Sequence, residues 1–325
     1  MKYLAGIAIG TTVLALVCSA SGTARSQDFP NRPVTITIPF APGGSAEASL
    51  RPLTEWLSKY WKQPVIVENR AGGGTTIAAA YMAEQKPDGY RLYFTPVASH
   101  TISASLFSAL KYDPVKSFTP ISGAATSPYV VMVNPSSPAK TIKDLIANAK
   151  ANPGKINYGS SGAGTGPHLA GEILKQSVGM NTVHVSFRGA APAITALLGN
   201  HVDYLVTDIS ALSLIEAGQL RALAVTSRER SPFLPETPTL SVTVAPGFVA
   251  TNRRGLIGPG GMDPKLAAAI TDAIHKALAT EDVQKAYAPL GYTASPLSSE
   301  QLGQMMKSDF ERFGQVIRQV GVKAE

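Results

Sequence analysis

The chain has 325 residues, of which 44% are apolar and 16% charged. That composition excludes a disordered or highly charged solvating polymer, and the length suits two domains or lobes that need neither a metal nor a disulfide to stabilise them. The 29 basic and 22 acidic residues leave a formal charge of +7 with no Lys/Arg run; a nucleic-acid groove is therefore not indicated, while small anions are compatible with the surplus.

At the amino terminus, Lys2 precedes an apolar stretch from Leu4 to Cys18, followed by the small-x-small pattern Ala24-Arg25-Ser26. Residues 1–26 thus read as an export signal peptide cleaved near Ser26, with Gln27 or a near neighbour as the mature start, and imply a periplasmic destination. Cys18 is the only cysteine, and Val17 before it is too bulky for a lipoprotein signal. A cysteine-free mature chain excludes disulfides, thiol nucleophiles and Cys-ligated metals.

Further along, short β-branched or apolar runs predict strands at Val34–Phe40, Val65–Glu68, Leu92–Phe94, Val130–Val133, Ile156–Tyr158, Val183–Phe187, Val202–Val206, Ala222–Thr226 and Leu256–Ile257. Helix-period segments lie between most of them, at Ala46–Trp61, Thr75–Glu84, Ile142–Ala149, Gly166–Val178 and Ala190–Leu198. This alternation implies βαβ units, an α/β fold and largely parallel sheets. Two closing helices carry the stripes Leu266, Ile270, Ile274, Leu278 and Leu302, Met306, Phe310, Phe313, Ile317, which are expected to face the core.

Two glycine-rich clusters fall at strand-to-helix junctions: Phe40-Ala41-Pro42-Gly43-Gly44-Ser45 and Tyr158-Gly159-Ser160-Ser161-Gly162-Ala163-Gly164-Thr165-Gly166. Glycine lets backbone N–H groups approach a ligand, Ser and Thr add hydroxyls, and the following helix supplies free N–H groups and its positive dipole end, so each junction is a candidate anion site. The alternative is that Ser45 and Thr165 only cap helices. No phosphate-loop or dinucleotide spacing is present, Ser161 lacks the G-x-S-x-G elbow, and the five histidines stand at no metal-binding spacing, so no cofactor and no metal is expected. His100, after a strand, and His168, beyond the second cluster, are candidate ligand contacts; His184, His201 and His275 read as ordinary residues.

The clusters belong to a longer series of landmarks: RPVTITIPFAPGGS (32–45), QPVIVENRAGGG (63–74), KPDGYRL (86–92), YDPVKSFTPIS (112–122), ANPGKINYGSSGAGT (151–165), HVSFRGAAPAITALLGNHVD (184–203) and GQLRALAVTS (218–227). In this order they resemble the tripartite tricarboxylate transporter substrate-binding proteins, the Bug family of extracytoplasmic solute receptors, from about Pro30 to Val322. The resemblance implies a two-lobed type II periplasmic binding protein fold with two crossover strands, near Ile121–Pro128 and Gly247–Arg254. Lobe one is then 28–124 plus 252–325, and lobe two 125–251. It further implies a small carboxylate ligand, a membrane permease of the tripartite type as partner and no catalysis; a monomer is the default for a lobe-closing receptor.

Carried onto this sequence, the ligand-binding candidates are Ala41, Gly43, Gly44 and Ser45 in the first loop and Ser160, Ser161, Gly164, Thr165, Gly166 and His168 in the second. Ser99 and His100 are expected on a cleft-lining loop, with Asp208 after a strand and Asn252 at a crossover. Three departures from the family pattern stand out: Glu47 where Asp is usual, Pro52 inside the first helix, and Arg253 where many relatives carry an aromatic residue. An arginine fork reaching the cleft would hold a second ligand carboxylate and favour a di- or tricarboxylate, aliphatic or aromatic; Arg188 is a second basic candidate. The other readings are a ligand sensor for a membrane signalling system and an exported serine hydrolase pairing Ser45, Ser161 or Thr165 with His100 or His168.

Overall fold

A computed structural model describes residues 29–107 and 109–322; the expected signal peptide and mature start lie outside the described residues. In chain order the elements are β1 (Val34–Ile38), α1 (Ser45–Trp61), β2 (Val65–Asn69), α2 (Thr76–Ala83), β3 (Arg91–Pro96), α3 (Val97–Leu106), β4 (Phe118–Val133), α4 (Ile142–Ala151), β5 (Asn157–Ser160), α5 (Gly166–Val178), β6 (Val183–Ser186), α6 (Ala190–Leu198), β7 (Tyr204–Asp208), α7 (Leu212–Glu216), β8 (Arg221–Val225), α8 (Leu240–Thr243), β9 (Thr251–Pro259), α9 (Pro264–Ala279), α10 (Glu281–Tyr287), β10 (Thr293–Leu297) and α11 (Ser299–Val320).

The strands lie in the order β2-β1-β3-β9-β4-β7-β5-β6, with β8 and β10 also on β4. β4 is the long member. It pairs with β9 from Phe118 to Pro128 and with β7 and β8 from Tyr129 to Val133. The chain therefore crosses from one set of strands to the other on β4 and returns on β9. Two neighbouring strands that carry the chain out and back must run antiparallel, and this corrects the expectation of largely parallel sheets. Parallel pairing holds within β2-β1-β3 and β7-β5-β6, where helical crossovers connect the strands.

Each strand set is covered on both faces. Ile36, Ile38, Leu50, Leu53, Ile270 and Ile274 form one core between β1, α1 and α9. On β4 the period-two alternation of side chains sends Tyr129, Val131 and Val133 into a core with Leu145, Tyr158 and Tyr204, and Val130 and Met132 into another with Leu197 and Val225. The stripes of α9 and α11 face inward as expected, with Ile270, Ile274, Leu278, Leu302 and Met306 buried.

Five elements were not expected: α3, α7, α8, α10 and β10. α3 occupies Val97–Leu106, where Ser99 and His100 were placed on a loop. Its sequence, VASHTISASL, is rich in residues of modest helix propensity. Burial of every residue from Val97 to Ser103 holds it, while Thr101 and Ser105 return their hydroxyls to the carbonyls of Val97 and Thr101. β10 contains Pro296 and shows no apolar run; it lies on β4 through Thr293, Ala294 and Leu297, with a register shift around the proline, the edge position proline tolerates. α1 runs unbroken through Pro52. No described helix is long and apolar enough to cross a membrane.

Candidate ligand-binding site

Helices α4, α9 and α11 begin with a side-chain cap: Thr141 in a capping box with Asp144, Asp263, and Ser298 in a capping box with Gln301. The N-cap residues of α1, α3, α5 and α6 are Gly44, Pro96, Thr165 and Gly189, and none makes a side-chain cap bond. All four of these helices start at the same place. A cavity of about 20 Å³ between the two strand sets is lined by Gly44 and Ser45 of the α1 start, Pro96 and Ser99 of α3, Pro167 of α5 and Ala190 of α6. Four positive dipole ends thus converge on one point, and an uncapped helix start leaves backbone N–H groups for an external acceptor wherever, unlike at α5, no neighbouring side chain takes them.

Opposite these ends lies a buried charged cluster. Arg254 of β9 is 2% exposed and Asp208, at the end of β7, 6%. Arg254 Nη2 donates to Asp208 Oδ2 at 2.5 Å and to Ser45 Oγ at 2.7 Å; Nη1 donates to the Ser45 carbonyl at 2.5 Å and to Ser49 Oγ at 2.6 Å. Ser45 Oγ in turn donates to Asp208 Oδ2 at 2.6 Å, and Asp208 Oδ1 accepts from the Ser210 N–H at 3.2 Å. The Tyr292 ring lies 5.0 Å from the guanidinium carbon. A charge buried this deeply requires a partner, and here the partner comes from the other strand set. Ser45 and Arg254 stand on one side of the crossing, Asp208 on the other.

The cavity wall also includes Ser161, Asn252 and Tyr129. Asn252 Nδ2 donates to Ser127 Oγ at 3.3 Å; the buried Tyr129 hydroxyl and Arg254 Nε have no hydrogen-bond partner among the described residues. In the first loop, Ala41 N–H is taken by the Arg188 carbonyl at 3.1 Å and Gly43 N–H by Glu47 Oε2 at 2.9 Å. The donors of the second loop are used more fully. Gly162 N–H goes to Ser160 Oγ, Ala163 N–H to Ser186 Oγ, Gly164 N–H to His168 Nδ1, Thr165 N–H to the Gly162 carbonyl and Gly166 N–H to Ser99 Oγ. Ser160 and Thr165 hydroxyls both bond within the loop, to the Gly162 carbonyl.

The structure therefore separates the sequence candidates. Gly44, Ser45, Ser99, Ser161, Asp208 and Asn252 line the cavity, with Asp208 engaged by Arg254. Ser160, Gly164, Thr165, Gly166 and His168 build the second loop and do not line that cavity, Ala41 and Gly43 shape the first, and Ser103 Oγ ties Gly74 to Gly164 by bonding both carbonyls. His100 is corrected to a core histidine: fully buried, it donates Nε2–H to the Pro114 carbonyl at 2.8 Å and packs among Tyr93, Tyr112 and Phe118. Burial lowers its pKa to about 4. His168 stacks on His184 at 4.1 Å, and burial lowers the two pKa values to about 4 and about 3. His184, read as ordinary, holds the second loop through Ser160 Oγ at 2.7 Å.

Arg253 is also corrected; it and Arg188 are both exposed. On an extended strand, neighbours point to opposite faces, so Asn252 and Arg254 face the cavity side and Arg253 cannot join them. That alternation was the available signal for Arg254. The Arg188 carbonyl accepts from the Ala41 N–H of the first loop. Among the described residues no hydrogen bond joins Ser45, Ser161 or Thr165 to His100 or His168, so the hydrolase pairings are not assembled. No group of three or more His, Cys, Asp or Glu that could hold a metal occurs among them either.

A two-lobed α/β body with anion-seeking helix ends at the crossing is the type II periplasmic binding protein fold. The chain matches the family described as tripartite tricarboxylate transporter family receptor, TctC, over residues 50–322, and it belongs to that family of solute-binding receptors. A relative from Pseudomonas sp. strain P51, a UPF0065 protein in the tcbD-tcbE intergenic region, is 33% identical over 97% of this chain and 93% of its own length; BugT of Bordetella pertussis is 31% identical over 98% and 96%. The solved structure of the periplasmic binding protein BugD shares 29% identity and a TM-score of 0.87, covering 91% of this chain and all of that one. MatC from Rhodopseudomonas palustris with bound malate (28%, TM-score 0.85, 89% and 100% covered) and R. palustris Rpa4515 with adipate (27%, 0.87, 91% and 99%) are similar in the same way.

Proposed function

We propose that this protein is a periplasmic receptor that captures a small carboxylate between its lobes and delivers it to a membrane permease of the tripartite tricarboxylate type. The observation that carries the reading is the convergence of four uncapped helix starts on one interlobe cavity, which suits an anion and no other common ligand charge. The malate and adipate bound by two relatives support a dicarboxylate of that size. The lobes are taken as 28–124 plus 252–325 and 125–251, supported by the change of strand partners within β4. Opening separates Asp208 from Arg254 and Ser45 and exposes the α1 start; closing around a carboxylate restores the pairing. Differential affinity of ligand for the two states is the thermodynamic requirement for such closure. The signal-peptide pattern of residues 1–26 supports export, and a monomer is the simplest unit for lobe closure.

Calorimetry of residues 27–325 with malate, adipate, citrate and the monocarboxylate analogue of each tests the reading. Tight one-to-one binding of at least one dicarboxylate, with compaction in small-angle scattering, is expected. Protein unfolded and refolded to strip carried-over ligand that then binds none of them would overturn it.

A further inference from the structure

Arg253 leads to a second cavity. On the opposite side of β9 from Arg254 lies a groove of about 440 Å³, within the range of small-molecule pockets. Its floor is the apolar cluster that joins α3 and α11 to α5, with Ile102, Leu169, Ile173 and Phe313 among its members. Arg228, Arg253 and Arg312 stand around it. Arg312 is paired with Asp309 at 2.7 Å. Arg228 and Arg253 have no acidic partner among the described residues, although both line the same groove. An apolar floor beneath two unneutralised guanidinium groups is complementary to one ligand chemistry: a carboxylate carrying an aromatic or medium-length alkyl body.

We propose that this groove is a second binding site, for an amphipathic monocarboxylate whose charged end is held by Arg228 and Arg253 and whose apolar end rests on Ile102, Leu169 and Phe313. The site is separate from the interlobe cavity and does not rest on carboxylate capture there. Tyr129 forms the wall between them, lining both. The groove takes α3 and α11 from one side of the crossing and α5 from the other, so an occupant touches both lobes at the hinge. By linkage, binding there changes the affinity of the interlobe site by a fixed, saturable factor.

4-Phenylbutyrate and octanoate are the probes, with butyrate as the control that has the charge and lacks the body. Fluorescence or calorimetric titration of the full mature chain is expected to show one site for each long probe and none for butyrate. Arg228→Gln with Arg253→Gln should weaken both long probes about tenfold or more, a loss near that of one charge-assisted hydrogen bond, and Phe313→Ala should weaken them while circular dichroism stays unchanged. Arg254→Lys, which alters the interlobe cluster, should change probe affinity by no more than the saturable coupling factor between the two sites. The proposal is overturned if no long probe binds, if the double substitution leaves binding intact, or if probe and dicarboxylate displace each other without limit. Limitless displacement would make the groove an extension of the interlobe site, whereas a shift that reaches a plateau supports two sites. Dicarboxylate binding without probe binding defeats this inference alone, and the reverse defeats only the function proposed above.

Discussion

The two glycine-rich junctions read alike in sequence and end differently in the fold. At the first, α1 opens with Gly44, Ser45 and Ala46; at the second, α5 opens with Thr165, Gly166 and Pro167. In the second helix, proline deletes one donor and Ser99, 67 residues away in the chain, accepts another. In the first, the Ala46 N–H is retained, and among the described residues neither Ser45 nor Ala46 N–H has an acceptor outside the helix. Glycine at a strand-to-helix turn therefore makes an anion site only where the surrounding fold leaves the donors unspent. In the function proposed above the first junction receives the ligand, while the second spends a donor on Ser99 of the other strand set.

The largest effect is expected at the charged cluster of the first junction. Arg254→Ala leaves Asp208 buried without its counter-ion and should cost about 3–5 kcal/mol of unfolding free energy, as loss of one partner from a buried pair does, measured by urea titration, and it should abolish dicarboxylate binding. Arg254→Met combined with Asp208→Leu should recover most of the stability and none of the binding. A single substitution with wild-type stability would show that the pair does not hold the crossing.

The second junction should respond to acid. His168 and His184 are neutral in the fold because burial lowers their pKa values to about 4 and about 3, from 6.5. Between those values the unfolded chain binds protons that the folded chain refuses, so stability is full above pH 6.5 and falls as the pH drops toward 4. Thermal melts at stepped pH should show this decline. His168→Gln, which keeps an acceptor for Gly164 N–H and removes one titrating group, should make it shallower, leaving the shares of His184 and the buried His100; an unchanged slope would show that His168 does not contribute.

A smaller effect is expected from Ser99→Ala. It strips the acceptor from Gly166 N–H and should cost about 1 kcal/mol, weakening closure, with small-angle scattering showing a larger open fraction. The smallest is Glu47→Gln. Its carboxylate occupies the Gly43 N–H beside the first anion end, and neutralising it should tighten carboxylate binding by the ~0.3–1 kcal/mol typical of a charge at a helix start. Weaker binding would mean that Glu47 shapes the loop more than it repels the ligand.

Much of the fold was legible without coordinates. Hydrophobic periodicity placed α5 and α6 at their observed limits and nine of the ten strands at least in part, because each buries a continuous or striped apolar surface that local sequence must supply. α3 and β10 escaped because their sequences contradict their conformations: one is a Ser- and Thr-rich helix held by burial, the other a strand carrying proline at a shifted register.

The candidate site divided along the same line. Its residue types and the place of its loops belong to local sequence, since glycine-rich turns, helix starts and the family landmarks are contiguous in the chain. What tertiary structure alone decided is which donors remain free and which charge is buried. Register turned Arg254 inward and Arg253 outward, although they are adjacent, because a strand reverses its facing at every residue. Asp208 met Arg254 across 46 positions and Ser45 across 163. Hydrogen-bond saturation and charge pairing in a protein interior are settled by partners distant in the chain, and only the packed fold brings those partners within reach.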